Sequence, residues 1–134
     1  MSPGSPASAD SDSKRRRALP IPRATLGMQT FVPDSSVVSD TVPSVNFGDR
    51  AKDRLPDMIV LHYTGMPDVE GALARLCTAG TDVSAHYVVL EDGRVVQCVQ
   101  EAKRAWHAGV ASWAGEEDIN SCSIGIEIVN RGHD

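Results

Sequence analysis

The chain has 134 residues, 41% of them hydrophobic, and a formal net charge of −5. That length fits one small domain, and an acidic balance excludes a general nucleic-acid binder. No segment approaches the ~20 consecutive apolar residues of a membrane-spanning helix.

Residues 1–45 read as a low-complexity arm, rich in Ser, Pro, Ala and Asp, with too little apolar surface to fold. Its one basic block is Lys14-Arg15-Arg16-Arg17. A solvated tail is the plainest reading of such a block. Twin-arginine export to a periplasm is the alternative, but the following ALPIPRATLGMQ is broken by prolines, an arginine and a glycine and makes no apolar h-region. Three cysteines, Cys77, Cys98 and Cys122, form no CxxC pair and read as small buried apolar residues in a reducing compartment. These features together place the expected location in the cytoplasm.

From residue 46 the pattern becomes that of a folded unit, 46–134. Met58 to Tyr63 is a short continuous apolar run bounded by turn formers, the pattern of a strand buried on both faces. Asp68 then stands as an N-cap with Glu70 in the first turn, and Val69, Leu73, Leu76 and Cys77 recur at helical spacing until Gly80. Ser84–Leu90 and Arg94–Val99 flank Glu91-Asp92-Gly93, and Asp-Gly between two β-branched runs predicts a hairpin. Residues 101–121 hold no sustained period and read as a long loop of the functional or mobile kind. Ile124, Ile126 and Ile128 alternate with Ser123, Gly125 and Glu127, the period of a strand whose two faces differ in chemistry. The order strand, helix, hairpin, loop, strand predicts an α/β fold with a mixed central sheet flanked by helices.

Several side chains in this frame can carry chemistry. His62 closes the first apolar strand, and strand ends of open α/β sheets are where sites collect. A packed, hydrogen-bonded histidine is the competing reading. Glu127 puts a charge inside an apolar strand, which is costly unless the carboxylate is paired, used, or turned outward to water at an edge. His86, in SAHY, points to core or cleft. Trp106-His107-Ala108-Gly109 offers a stacking face beside a polar tip on a loop, and Trp113 belongs to the same wall or is simply half-buried. Asn120 and Asn130 bracket the last strand, as turn residues or as donors to amides. His133 reads as a loop residue.

Taken in series, MIVLHYTG at 58–65, SAHYVVLEDGRVVQ at 84–97, RAWHAG at 104–109 and NSCSIGIEIVN at 120–130 resemble the zinc-dependent N-acetylmuramoyl-L-alanine amidases, relatives of phage-type lysozyme amidases and peptidoglycan recognition domains. The resemblance runs from about Asn46 to the end. It implies the same α/β architecture, a Zn²⁺ cofactor with His62 as one ligand, and Glu127 as the general base. It also implies that Trp106, His107, Ala108, Gly109 and Asn130 line a groove for peptidoglycan or muropeptide. The family's other zinc ligands, and a lysine that helps hold its oxyanion, would fall after Asp134, so these residues resemble the N-terminal portion of the domain with its C-terminal part missing. The implied reaction is hydrolysis of the amide between N-acetylmuramic acid and L-alanine. A muropeptide-binding module without catalysis and an inactive fragment are the alternatives. No glycine-rich phosphate loop competes.

Overall fold

The computed structural model describes residues 20–21 and 30–130. Among these residues seven strands and two α-helices follow in order: β1 (Asp40–Thr41), β2 (Phe47–Asp49), β3 (Met58–Tyr63), α1 (Val69–Cys77), β4 (Tyr87–Val89), β5 (Val95–Gln97), β6 (Lys103–Ala105), α2 (Ile119–Cys122) and β7 (Ser123–Ile128). Five of the strands form a mixed sheet in the order β1-β5-β4-β7-β3, and β2 pairs with β6 in a separate ribbon. β7 runs parallel to both of its neighbours, β3 and β4, whereas β4 and β5 are antiparallel. The α/β class with a mixed central sheet is the one the sequence predicts.

Local chemistry accounts for most of these elements. The Asp68 carboxylate accepts a 2.7 Å hydrogen bond from the Gly71 N–H, satisfying one of the free donors of the first turn of α1. Gly93 adopts φ +89°, a conformation that a side chain disfavours, and closes the turn by donating to the Leu90 carbonyl. The apolar stripe of α1 buries Leu73, Leu76 and Cys77 in one cluster with Ala85 and with Val88 and Val96 of the sheet.

Residues 34–45 correct the boundary of the expected arm. Ser39, Val42 and Ser44 donate backbone hydrogen bonds to Val95, Gln97 and Cys98, and Val42 is 1% exposed within the core. The side chain of Gln97, wholly buried, donates to Asp34 at 2.6 Å and accepts from the Asp34 N–H. Pro33 and Pro43 do not prevent this, because β1 lies at a sheet edge, where proline next to a short strand is tolerated. The basic block Lys14–Arg17 and His133 lie outside the described residues.

Two further readings change. β3 is an edge strand, and Ile59, Leu61 and Tyr63 stand 66%, 64% and 63% exposed on the face that no described element covers, while the alternate residues are half-buried. A continuous apolar run reveals hydrophobicity but not which of its two faces has a cover. The 101–121 segment is also more ordered than its composition suggests. β6 pairs with β2, and the buried Arg50 guanidinium donates to the carbonyls of Glu101, Asn120 and Ser121, pinning both ends of the segment. No helix among the described residues is long and apolar enough to cross a membrane.

His86 is a core histidine. Its Nδ1 accepts from the Gly125 N–H at 3.0 Å, its Nε2 lies 2.8 Å from the Lys103 carbonyl, and the residue is fully buried. Those partners assign the hydrogen to Nε2. Burial pushes its pKa down to about 4; the Lys103 carbonyl opposes that shift and the Arg50 charge adds to it.

Two outcomes follow from this packing. Val42→Ala should cost about 2 kcal/mol of stability, the usual penalty for a truncated buried aliphatic side chain, read as a lower urea midpoint. A midpoint unchanged from wild type would return residues 34–45 to the arm. The second concerns acid. Because the folded-state pKa of His86 lies below its unfolded value of about 6.5, the unfolded chain takes up the proton first. The contribution of His86 is therefore intact above pH 6.5 and lost as the pH falls toward 4, by on the order of 3 kcal/mol in all. Urea unfolding at several pH values should show a flatter dependence in His86→Gln than in wild type; equal slopes would mean that the ring is solvated.

Candidate active site

The site follows from the register of β3 on β7. His62 is paired with Glu127, Val60 with Gly125 and Met58 with Ser123. Registered residues on neighbouring strands share a face. Ser123, Gly125 and Glu127 therefore stand on the side covered by α1, and the three isoleucines of β7 stand on the other. The two residues singled out from separate parts of the sequence thus become neighbours at the carboxyl end of the sheet.

His62 and Glu127 line a cleft of about 220 Å³, together with Tyr63, Thr64, Arg75, Trp106 and His107 among others. The Glu127 Oε2 is buried and has no hydrogen-bond partner among the described residues. Burial raises the pKa of this carboxyl above its ordinary value, against the opposing charges of His62 and Arg75. A carboxylate so placed binds protons more strongly than one on the surface and has an oxygen free to take one. The edge-strand reading, a carboxylate turned outward to water, does not hold.

His107 enters from the loop after β6 and meets His62, with His107 Nδ1 3.1 Å from His62 Nε2. Its Nε2 lies 3.0 Å from the Ser123 hydroxyl. The side-chain oxygen of Asn120 accepts from the backbone N–H groups of both His107 and Ala108, so Asn120 shapes the loop. Burial holds the pKa of His107 down to about 3, and the charges of His62, His86, Arg50 and Arg104 add to the effect. The ring is neutral at neutral pH.

Trp106 flanks the same cleft, its backbone N–H donated to the buried Ser84 hydroxyl. Ala108, Gly109 and Asn130 are outside the residues that line the cleft; the Asn130 carbonyl instead accepts from the Thr64 hydroxyl. Trp113 is 69% exposed and is also outside that lining. Sequence reasoning overlooked Ser123 and Gly125 as parts of the site. The alternation of β7 put both on the face of Glu127, and that was the available signal. Arg75, on the exposed side of α1, gave none.

A catalytic zinc takes three protein ligands and leaves a fourth position for water. The cleft offers imidazole nitrogen at His62 beside a buried carboxylate oxygen that lacks a donor, and both suit a cationic centre. They suit it as part of a donor set. Among the described residues no group of three or more His, Cys, Asp or Glu side chains is placed to hold a metal ion.

Known proteins resemble this chain in sequence and in fold. The N-acetylmuramoyl-L-alanine amidase family model matches residues 52–134. The 1,6-anhydro-N-acetylmuramyl-L-alanine amidase AmpD of Citrobacter freundii is 38% identical over 104 residues, covering 65% of this chain and 56% of that protein. The crystal structure of a selenomethionine AmpD derivative superposes with a TM-score of 0.57 at 32% identity, covering 72% of this chain and 63% of the other. Escherichia coli AmiD, solved with anhydro-N-acetylmuramic acid-L-Ala-D-γ-Glu-L-Lys, gives a TM-score of 0.51 at 40% identity over 57% of this chain and 32% of that one. The chain spans a little more than half the length of the curated AmpD relatives it matches. With the His62 strand, the SAHY hairpin, the WHAG loop and the Glu127 strand all inside the matched span, the chain belongs to the N-acetylmuramoyl-L-alanine amidase family.

Proposed function

We propose that the protein hydrolyses the amide joining N-acetylmuramic acid to L-alanine in soluble muropeptides. The observation that carries this reading is the unpartnered, buried Oε2 of Glu127 directly across the ladder from His62, in a cleft walled by Trp106. The names of the relatives support a 1,6-anhydro-muropeptide as substrate. The three cysteines, all free and buried, support a reducing compartment and with it the cytoplasm.

His62 is the zinc ligand that this segment supplies, and the other donors come from outside the described residues. When bound, zinc supplies Lewis acidity that polarises the amide carbonyl and brings the pKa of water to about 7. Glu127 takes the proton of the attacking water on its free oxygen and returns it to the departing amine of L-alanine. Its elevated pKa suits both transfers, because a proton-shuttling group works best when it neither holds its proton too weakly nor too tightly. The indole of Trp106 packs on the sugar or the first peptide unit, and the neutral His107 keeps repulsive charge away from a cationic centre.

In the full-length protein, Glu127→Gln should keep its zinc and lose about 10²–10⁴-fold in turnover, the usual worth of a general base. His62→Ala should lose zinc. Elemental analysis and chromatography of the released peptide separate the two roles. Near-normal turnover in Glu127→Gln would remove it as the base, and tight muropeptide binding by a zinc-loaded wild type that leaves the amide intact would make this a recognition module.

Trp106→Ala should weaken muropeptide binding by about 1–3 kcal/mol, the worth of a stacked indole, and shift the thermal melt by less. A collapsed melt with unchanged affinity would make Trp106 a packing residue only.

A further inference from the structure

We propose that His107 is a positioning residue that fixes the tautomer and the ring orientation of His62, with Ser123 and Gly125 as the mount that holds His107 in place. The consequence for metal affinity rests on reading His62 as a zinc ligand; the tautomer assignment does not.

The chain of hydrogen bonds has one consistent direction. Ser123 Oγ lies 2.6 Å from the Ile119 carbonyl and 3.0 Å from His107 Nε2. A carbonyl oxygen only accepts, and an oxygen–oxygen separation that short contains a hydrogen. The one hydroxyl hydrogen of Ser123 therefore points at Ile119, and the contact with His107 must be an N–H donated by Nε2. A neutral imidazole carries one ring hydrogen, so Nδ1 of His107 is bare. That bare nitrogen sits 3.1 Å from His62 Nε2, which makes His62 the donor there. His62 is left with its hydrogen on Nε2 and a lone pair on Nδ1, the nitrogen free to take a cation.

The packing shows a ring seated by design of the backbone. A Cβ on Gly125 would meet His107 Cγ and Cδ2 closer than real contacts allow, so only glycine at this position lets the imidazole lie on β7. The loop that delivers the ring is held by Asn120 at two successive N–H groups. The rings of His62 and His107 meet edge to face, at 72° with centroids 5.3 Å apart. Metal-binding histidines ordinarily donate the second ring N–H to an acceptor that orients them, most often a carboxylate or a carbonyl. Here the acceptor is a second imidazole, and the Ile119 carbonyl, acting through Ser123, decides which of its nitrogens accepts.

The test is the long-range ¹H–¹⁵N correlation spectrum of the histidine rings in the full-length, metal-free protein at neutral pH. It should show the Nε2–H tautomer at both His62 and His107. An Nδ1–H tautomer at either ring, or a doubly protonated His107, overturns the proposal without touching the zinc reading. Ser123→Ala and Gly125→Ala should each mix the tautomers of His62, and in a chelator competition each should weaken zinc binding by about 10–100-fold, the usual cost of losing an orienting partner. Undisturbed tautomers and affinity in both folded variants would also overturn it. The expected wild-type spectrum in a protein that takes up no zinc would support the tautomer chain while defeating the metal reading.

Discussion

The parallel pairing of β3 with β7 is the constraint on which the site depends. Six registered pairs run from Met58 opposite Ser123 to Tyr63 opposite Ile128. Side chains alternate with a period of two, so a slip of one residue would turn Glu127 to the opposite face from His62 and put isoleucine in the cleft. The ladder does more than bring two functional groups together. It also aligns Ser123 and Gly125 beneath the loop that carries His107, so that one strand supplies the carboxylate, the seat for an imidazole and the hydroxyl that orients it. On the other flank of β7, Val88 is registered with Glu127 and wholly buried, which removes water from one side of the carboxylate.

The cleft face of this sheet is unfavourable for stability, and the rest of the fold offsets it. An unpartnered buried carboxylate oxygen and two imidazoles held neutral each cost free energy that an apolar residue would not. The offset is visible in two places. The stripe of α1 closes a dry core over β4 and β5. Around it, buried polar groups find partners: Arg50 with three carbonyls, Gln97 with Asp34, Asn46 with the Thr78 and Val83 carbonyls. These buried polar groups are satisfied, and an unsatisfied one lies within the cleft. That contrast marks where local consistency has been given up for chemistry.

Elements specified by neighbours in sequence were legible without a structure. The Asp68 cap, the Asp92-Gly93 turn and the two-sided β7 each follow from residues within a few positions of one another. β1 and β6 were not legible, because two or three residues are too few to display a period and because what orders them is distant: Arg50 reaches 51 to 71 positions along the chain, Gln97 reaches 63. The exposure of Ile59, Leu61 and Tyr63 was hidden for a different reason, since a continuous apolar run carries no information about which neighbours cover it. In the site, His62 and Glu127 stood out as polar interruptions of apolar strands. Ser123 and Gly125 did not, because serine and glycine need a known partner before their smallness or their hydroxyl acquires a meaning, and that partner arrives from a loop.

The edge position of β3 explains why such a partner is needed. Among the described residues, the strand bearing His62 is paired on one side only, and His62 stands next to the last registered pair of that ladder, where fraying begins in sheets generally. A side chain asked to hold a fixed direction there cannot rely on the sheet alone. His107 supplies the second side. It approaches from a loop whose own freedom has been removed by Asn120, and it rests on a strand position without a side chain. Groups that must be placed to within a fraction of an ångström are held by the shell around them as much as by the element that carries them. In this fold that shell is built from an asparagine, a glycine, a serine and a second histidine, contributed by the 101–130 segment, and the strand bearing His62 contributes only the point of attachment.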